Sequence, residues 1–243
     1  MLILFVVCPV LFSFLYQLCF VEIFNLKYLA TRSKCDFCNK QLRYRDVIPI
    51  FSYIRLLGKT SCCKQPLSKL YILGEVLALV PALYLIFNPS AKSLCAFICI
   101  YLFLLVFALY DIQTLSIPLH IFLVFAFSST VILDGNFYYF VITTLLLHIF
   151  YFLFKNAIGY GDILICSLLS YLIPYSIFIN VLFLTCLIGS IFSTILVLKT
   201  RKRKIKIPFI PFIYIAFCIE TVLSHFRILG GSLWYQCFIH LSI

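Results

Sequence analysis

Apolar stretches long enough to matter recur along almost the whole chain, separated by short polar punctuation. A bilayer core of about 30 Å needs about 20 apolar residues in a helix, so each such stretch reads as a membrane span. The first runs from Met1 to about Ile23, and a polar segment follows from about Phe24 to Lys69. Six further stretches lie at roughly 70–88, 94–110, 117–133, 137–154, 163–179 and 181–198, and a last one at about 208–223. Asn88-Pro89 and Asp134-Gly135-Asn136 supply turn chemistry between spans. The tail beyond Gly230-Gly231 is too short to add another. The pattern predicts an all-α membrane protein, a polytopic bundle of about eight transmembrane helices with one cysteine-containing cytoplasmic loop.

Composition narrows the class further. With 64% hydrophobic and 11% charged residues, a soluble globule is excluded. The net charge of +11 raises the question of a nucleic-acid partner, but sixteen of the nineteen Lys and Arg fall in two segments, the loop and Lys199–Lys206. The positive-inside rule places both in the cytoplasm, and six spans between them return the chain to the same side. The charge therefore reports topology and, at Lys199–Lys206, attraction to anionic lipid; membrane lipid is an expected partner and nucleic acid is not. The first span has no basic leading region or small-residue cleavage site, so it is expected to be a retained helix with its N-terminus outside.

Only eight acids occur in the chain, and two end apolar runs. Asp162 follows Gly159-Tyr160-Gly161, and Asp111 follows Tyr110 and precedes Ile117-Pro118. Ionisable groups at membrane depth are expensive and mark pathways or reaction sites. Two carboxylates on one face could divide acid and base roles, sharing a proton because both cannot ionise cheaply; the alternative is two unrelated helix-end acids facing water. Glu75 lies a turn inside a span, where it either acts or is satisfied by a polar neighbour. Glu22 and Glu220 read as helix-end acids, and the four histidines, without ligand spacing, as packing or interfacial groups.

Of twelve cysteines, Cys8, Cys19, Cys95, Cys99, Cys166, Cys186, Cys218 and Cys237 are dispersed in apolar runs and read as small buried hydrophobes. Cys35, Cys38, Cys62 and Cys63 cluster in the loop. A C-x-x-C pair followed by a distant second pair is the spacing of a tetrahedral zinc site, with a redox role or inert thiols as the alternatives. The second pair is adjacent, which chelates one ion awkwardly.

Taken in order, Cys35-x-x-Cys38, Gln41 to Pro49, the second cysteine pair, Pro66-Leu67-Ser68, Leu73-Gly74-Glu75, Asp111 with Ile117-Pro118, Gly159-x-Gly161-Asp162 and Ile207 to Phe212 resemble a type IV prepilin peptidase. The resemblance covers most of the chain. It implies an N-terminal domain over 1–90, an aspartic peptidase membrane domain over 91–200 and a terminal segment over 201–243. It also implies a multi-pass protein of the bacterial inner membrane that cuts the leaders of prepilins or pseudopilins with Asp111 and Asp162, supported by Gly159, Gly161 and Glu75. S-adenosylmethionine for N-methylation of the new N-terminus and a structural zinc on Cys35, Cys38, Cys62 and Cys63 follow from the same likeness. The chain departs from the family pattern at Thr60, where a cysteine is usual, at Leu164, where lysine is, and at Ile210, where glycine is. A proton-coupled transporter and a G-x-G-D intramembrane protease with other substrates are the alternative functions.

Overall fold

The structure is a computed structural model and describes residues 2–21, 32–35, 37–87, 91–133, 135–154, 159–201 and 206–224. Among these residues every regular element is a helix, apart from two isolated bridges pairing Lys34 with Gln41 and Lys59 with Pro66. The Asn88-Pro89 turn, Asp134, most of the second basic cluster, Glu22, Cys237, His225, His240 and the glycine tail lie outside the described residues. The chain divides between Asp134 and Gly135 into two compact units.

The first unit is organised around the helix Ala91–Thr114. It is apolar on every side, and residues 100–109 are all buried, as expected of a helix without a polar face. Against it pack Leu2–Leu18, Lys69–Leu77, Val80–Phe87 and Leu119–Ile132. Gly74 sets the closest approach: a Cβ there would lie 2.0 Å from Phe12 Cζ and 2.7 Å from Leu109 Cδ1. Glycine is required here for contact between helices, since it alone carries no side-chain atom into that space.

The span expected at 70–88 is broken in two, Lys69–Leu77 and Val80–Phe87. Pro81 has no N–H to donate to the carbonyl of Leu77, so the helical ladder cannot continue. The freed Leu77 carbonyl accepts instead from the Tyr101 hydroxyl of the central helix at 2.8 Å. The break is thereby satisfied within the unit.

The second unit contains Phe137–Leu153, Tyr160–Leu172, Tyr175–Thr200 and Ile210–Ser224. Here the expected boundary near residue 180 is wrong. The turn falls at Ile173-Pro174, because the residue before a proline is driven to extended geometry (Ile173 φ −114, ψ 153) and the proline restarts the helix. Tyr160–Leu172 is buried along most of its length and packs against Phe137–Leu153. Gly135 makes the connecting turn possible: its missing Cβ would sit 2.2 Å from the Tyr171 ring, and Asn136 N–H donates to the Tyr171 carbonyl at 2.9 Å. Glu220 is buried and accepts from Asn180 Nδ2 at 3.0 Å. Two dispersed cysteines also depart from expectation, Cys95 and Cys186 being exposed, whereas Cys8, Cys19 and Cys166 are buried.

Two helices, Leu94–Thr114 and Tyr175–Thr200, are long and apolar enough to cross a bilayer, and five shorter apolar helices accompany them. They differ in what they face. In the most apolar 18-residue stretch of each, 67% of the residues are buried in the first and only 17% in the second, leaving Phe183, Ile191 and Leu198 exposed as a lipid-facing surface would require.

Candidate active site and cysteine cluster

Asp162 occupies the third position of Tyr160–Leu172, in its first turn. Its carboxylate folds back and accepts the Gly159 N–H at 3.2 Å, meeting one of the donors a helix start leaves unpaired. Gly159 has ordinary extended dihedrals (φ −70, ψ 141), so its backbone does not demand glycine. The constraint comes from the carboxylate, since a Cβ at 159 would stand 3.0 Å from Oδ2 and the Asp162 side chain would have to give by a few tenths of an ångström. The glycine before Tyr160 is thus a space for the acid.

Asp111 belongs to the first unit and is buried at 5% exposure in the last turn of Ala91–Thr114, which runs four residues beyond the span predicted from sequence. The helix stops at Leu115, which takes a positive φ of 53° and donates its N–H to the Asp111 carbonyl at 2.9 Å. A leucine in this region costs about 1–2 kcal/mol, and Ile117-Pro118 immediately afterwards prevents the helix from continuing. The same end of the unit is held by His120 Nε2 against the Leu18 carbonyl at 2.8 Å and by the Phe20 and Tyr110 rings at 5.2 Å.

Glu75 is buried and fully engaged. Ser13 Oγ donates to Oε1 at 2.6 Å and the Ile50 N–H to Oε2 at 2.6 Å. Neither partner was visible in the sequence, since they come from the first helix and from mid-loop. Ile50 itself is the centre of a γ-turn (φ 62, ψ −55), closed by Phe51 N–H on the Pro49 carbonyl at 2.6 Å.

The four loop cysteines converge, all sulfurs lying within 4.8 Å of one another. Cys35 and Cys63 sulfurs are 3.7 Å apart, Cys38 and Cys62 3.2 Å, and Cys62 and Cys63 4.0 Å. A tetrahedral ion with metal–sulfur bonds of about 2.3 Å has sulfur–sulfur edges of about 3.8 Å, so the set fits a zinc-sized ion. Thr60 Oγ1, 3.1 Å from Cys63 Sγ, draws the Cys63 thiol down to about 7, with help from the Gln65 amide. Sharing with Cys38 and then Cys35 pushes Cys62 up to about 12.

Behind the cluster, Asp46 accepts from Ser61 Oγ at 2.7 Å and pairs with Arg55, and these partners, Ser61 first, hold its carboxyl below the usual range. Asp46, Lys59, Thr60, Gln17, Tyr71 and Glu75 help line a cavity of about 140 Å³.

The described residues form an all-helical protein, consistent with a membrane protein, with a buried acid in one unit, a glycine-framed acid in the other and a four-cysteine loop. The chain belongs to the type IV leader peptidase family: residues 98–194 match that family and residues 6–88 match the bacterial peptidase A24 N-terminal domain. It is similar to a prepilin leader peptidase/N-methyltransferase of Pectobacterium carotovorum subsp. carotovorum, 29% identical over 67% of this chain and 63% of the relative. It is also similar to proteins of the same name from Bacillus subtilis (strain 168), 28% identical over 77% of this chain and 79% of the relative, and from Stutzerimonas stutzeri, 25% identical over 79% and 71%. The chain therefore spans slightly less than two thirds of the Pectobacterium protein's length. No solved structure matches it.

Proposed function

We propose that the chain is a membrane aspartic endopeptidase of the bacterial inner membrane that cleaves the leaders of type IV prepilin-like proteins on the cytoplasmic side. N-methylation of the new N-terminus, which the relatives' names pair with cleavage, belongs to the same proposal. The supporting observation is that the residues matching the type IV leader peptidase family contain both Asp111 and a Gly159-framed Asp162. In this reading Asp111 and Asp162 meet at one water and share one proton. One carboxylate accepts the proton of the attacking water while the other donates the shared proton to the scissile carbonyl oxygen; as the tetrahedral diol collapses, the first passes its proton to the leaving amine and the second recovers one from the diol hydroxyl. The apparent titration belongs to the pair.

The loop is a zinc-stabilised cap, held by Cys35, Cys38, Cys62 and Cys63, on an N-terminal domain over 1–90 that precedes the peptidase domain over 91–200; residues 201–243 carry the second basic segment and the last of eight spans. The test is cleavage of a prepilin in membranes carrying Asp111→Asn or Asp162→Asn. Each variant should accumulate normally and lose cleavage by at least about 10³-fold, as removal of one member of a catalytic pair does. Wild-type cleavage by either variant would refute the assignment.

A further inference from the structure

The two turns that carry the loop cysteines follow one hydrogen-bonding pattern. In the first, Lys34 bridges Gln41, the Cys35 N–H donates to the Lys40 carbonyl at 2.9 Å, the Asn39 N–H donates to the Cys35 carbonyl at 2.9 Å, and Asn39 has φ 56°. In the second, Lys59 bridges Pro66, the Thr60 N–H donates to the Gln65 carbonyl at 2.9 Å, the Lys64 N–H donates to the Thr60 carbonyl at 3.1 Å, and Lys64 has φ 56°. Matched bond for bond, Thr60 stands where Cys35 stands and Cys63 where Cys38 stands. The second turn has therefore lost the thiolate at its first position. Cys62, which has no counterpart among the cysteines of the first turn, nevertheless brings its sulfur 3.2 Å from Cys38.

Thr60 has not become a spectator. It is 8% exposed, its Oγ1 accepts the Gln65 N–H at 2.9 Å, and the same oxygen lies 3.1 Å from Cys63 Sγ. With a lone pair committed to the amide, the hydroxyl hydrogen is available to the sulfur. We infer that the metal site is built in a shifted register: Cys62 supplies the fourth thiolate in place of position 60, and Thr60 is a positioning residue that keeps the turn's shape and donates to Cys63 sulfur. Ligand-bound sulfur held by such outer hydrogen bonds is oriented by them. The inference rests on the loop binding a metal, as proposed above, and it concerns which residues do so.

It is tested by loading full-length, detergent-purified protein with cobalt(II), whose absorption reports how many thiolates it has. Wild type should give a tetrahedral four-thiolate spectrum, Cys62→Ser a three-thiolate one, and Thr60→Cys combined with Cys62→Ser should restore four. Thr60→Cys alone should release metal to a chelator at least about 10-fold more slowly, because its turn then has the spacing of an unstrained pair. Alkylation followed by mass spectrometry gives a measurement that needs no variant to fold: metal should protect Cys62 in the wild-type protein. A four-thiolate spectrum in Cys62→Ser, failure of the double variant to restore it, or rapid alkylation of Cys62 with metal bound would overturn the register shift alone. Absence of any bound cobalt or zinc in wild type would remove the metal site itself.

Discussion

The Ile50 N–H donates to Glu75 Oε2 at 2.6 Å, so a strained turn in the polar loop is anchored on a carboxylate buried in the helix that follows. A β-branched residue at φ 62° is an outlier that persists only where its surroundings over-determine it. Here the surroundings are Glu75 and, through its other oxygen, Ser13 of the first helix. One side chain ties three segments together.

Replacing Glu75 by alanine should leave the Ser13 hydroxyl and the Ile50 amide without their acceptor and cost about 3 kcal/mol. Thermal unfolding in detergent should show a Tm lower by roughly 5–10 °C. Glu75→Gln, which keeps acceptor capacity on one oxygen, should lose less than half of that. Equal losses in the two variants would mean that burial, not hydrogen bonding, holds the loop.

Gly74→Ala tests the contact between helices. The added Cβ collides with Phe12 and Leu109, so the first and central helices must separate, at about 1–3 kcal/mol. Combining it with Phe12→Leu should recover a large share by vacating the nearer obstacle. A stable single variant would show that this interface is looser than the geometry requires.

Gly159→Ala should leave helix stability within about 1 kcal/mol, because the backbone there already suits alanine. Cleavage should nevertheless fall by roughly 10-fold, since a shift of Asp162 of even a few tenths of an ångström disturbs a positioned acid. Cleavage at the wild-type rate would detach the glycine from the chemistry.

Asp46 gives the loop a pH dependence. Its native pKa is depressed below the ordinary 3.8 by the Ser61 hydroxyl and the Arg55 guanidinium, so below that value the unfolded loop binds more protons than the folded one. The stabilisation is complete above about pH 4 and fades as the pH falls through the lower native value. Because Arg55 is partly exposed, it is worth about 1 kcal/mol. Limited proteolysis of the loop should show Asp46→Asn weaker than wild type at pH 7, with the difference shrinking towards pH 3; a constant difference would contradict the linkage.

Topology supplies the fifth test. Single reporters at Gln113 and Asn156 should both read cytoplasm, and those at Asn88 and Asn136 outside, following the two basic segments. Opposite sides for positions 113 and 156 would separate Asp111 from Asp162 by about one hydrocarbon thickness of 30 Å. A shared water would then be impossible, and a proton-coupled transporter would be the better reading.

The sequence by itself determined the helical membrane class, the rarity that makes Asp111 and Asp162 conspicuous, and the grouping of Cys35, Cys38, Cys62 and Cys63. These are properties of composition and spacing, because burial in lipid selects long apolar runs and penalises every charge within them. Pro81 and Pro174 were legible in principle, since proline ends a helix by its own covalent structure. The break at Pro81 was missed and the one at Pro174 misplaced, because hydropathy runs straight through both. What the tertiary structure alone decided is who meets whom. Glu75 with Ser13 and Ile50, Asn180 with Glu220, Tyr101 with the Leu77 carbonyl and Thr60 with Cys63 are pairs chosen by how helices and turns pack. A hydrogen bond depends on distances of a few tenths of an ångström between groups remote in the chain, and no local pattern carries that information.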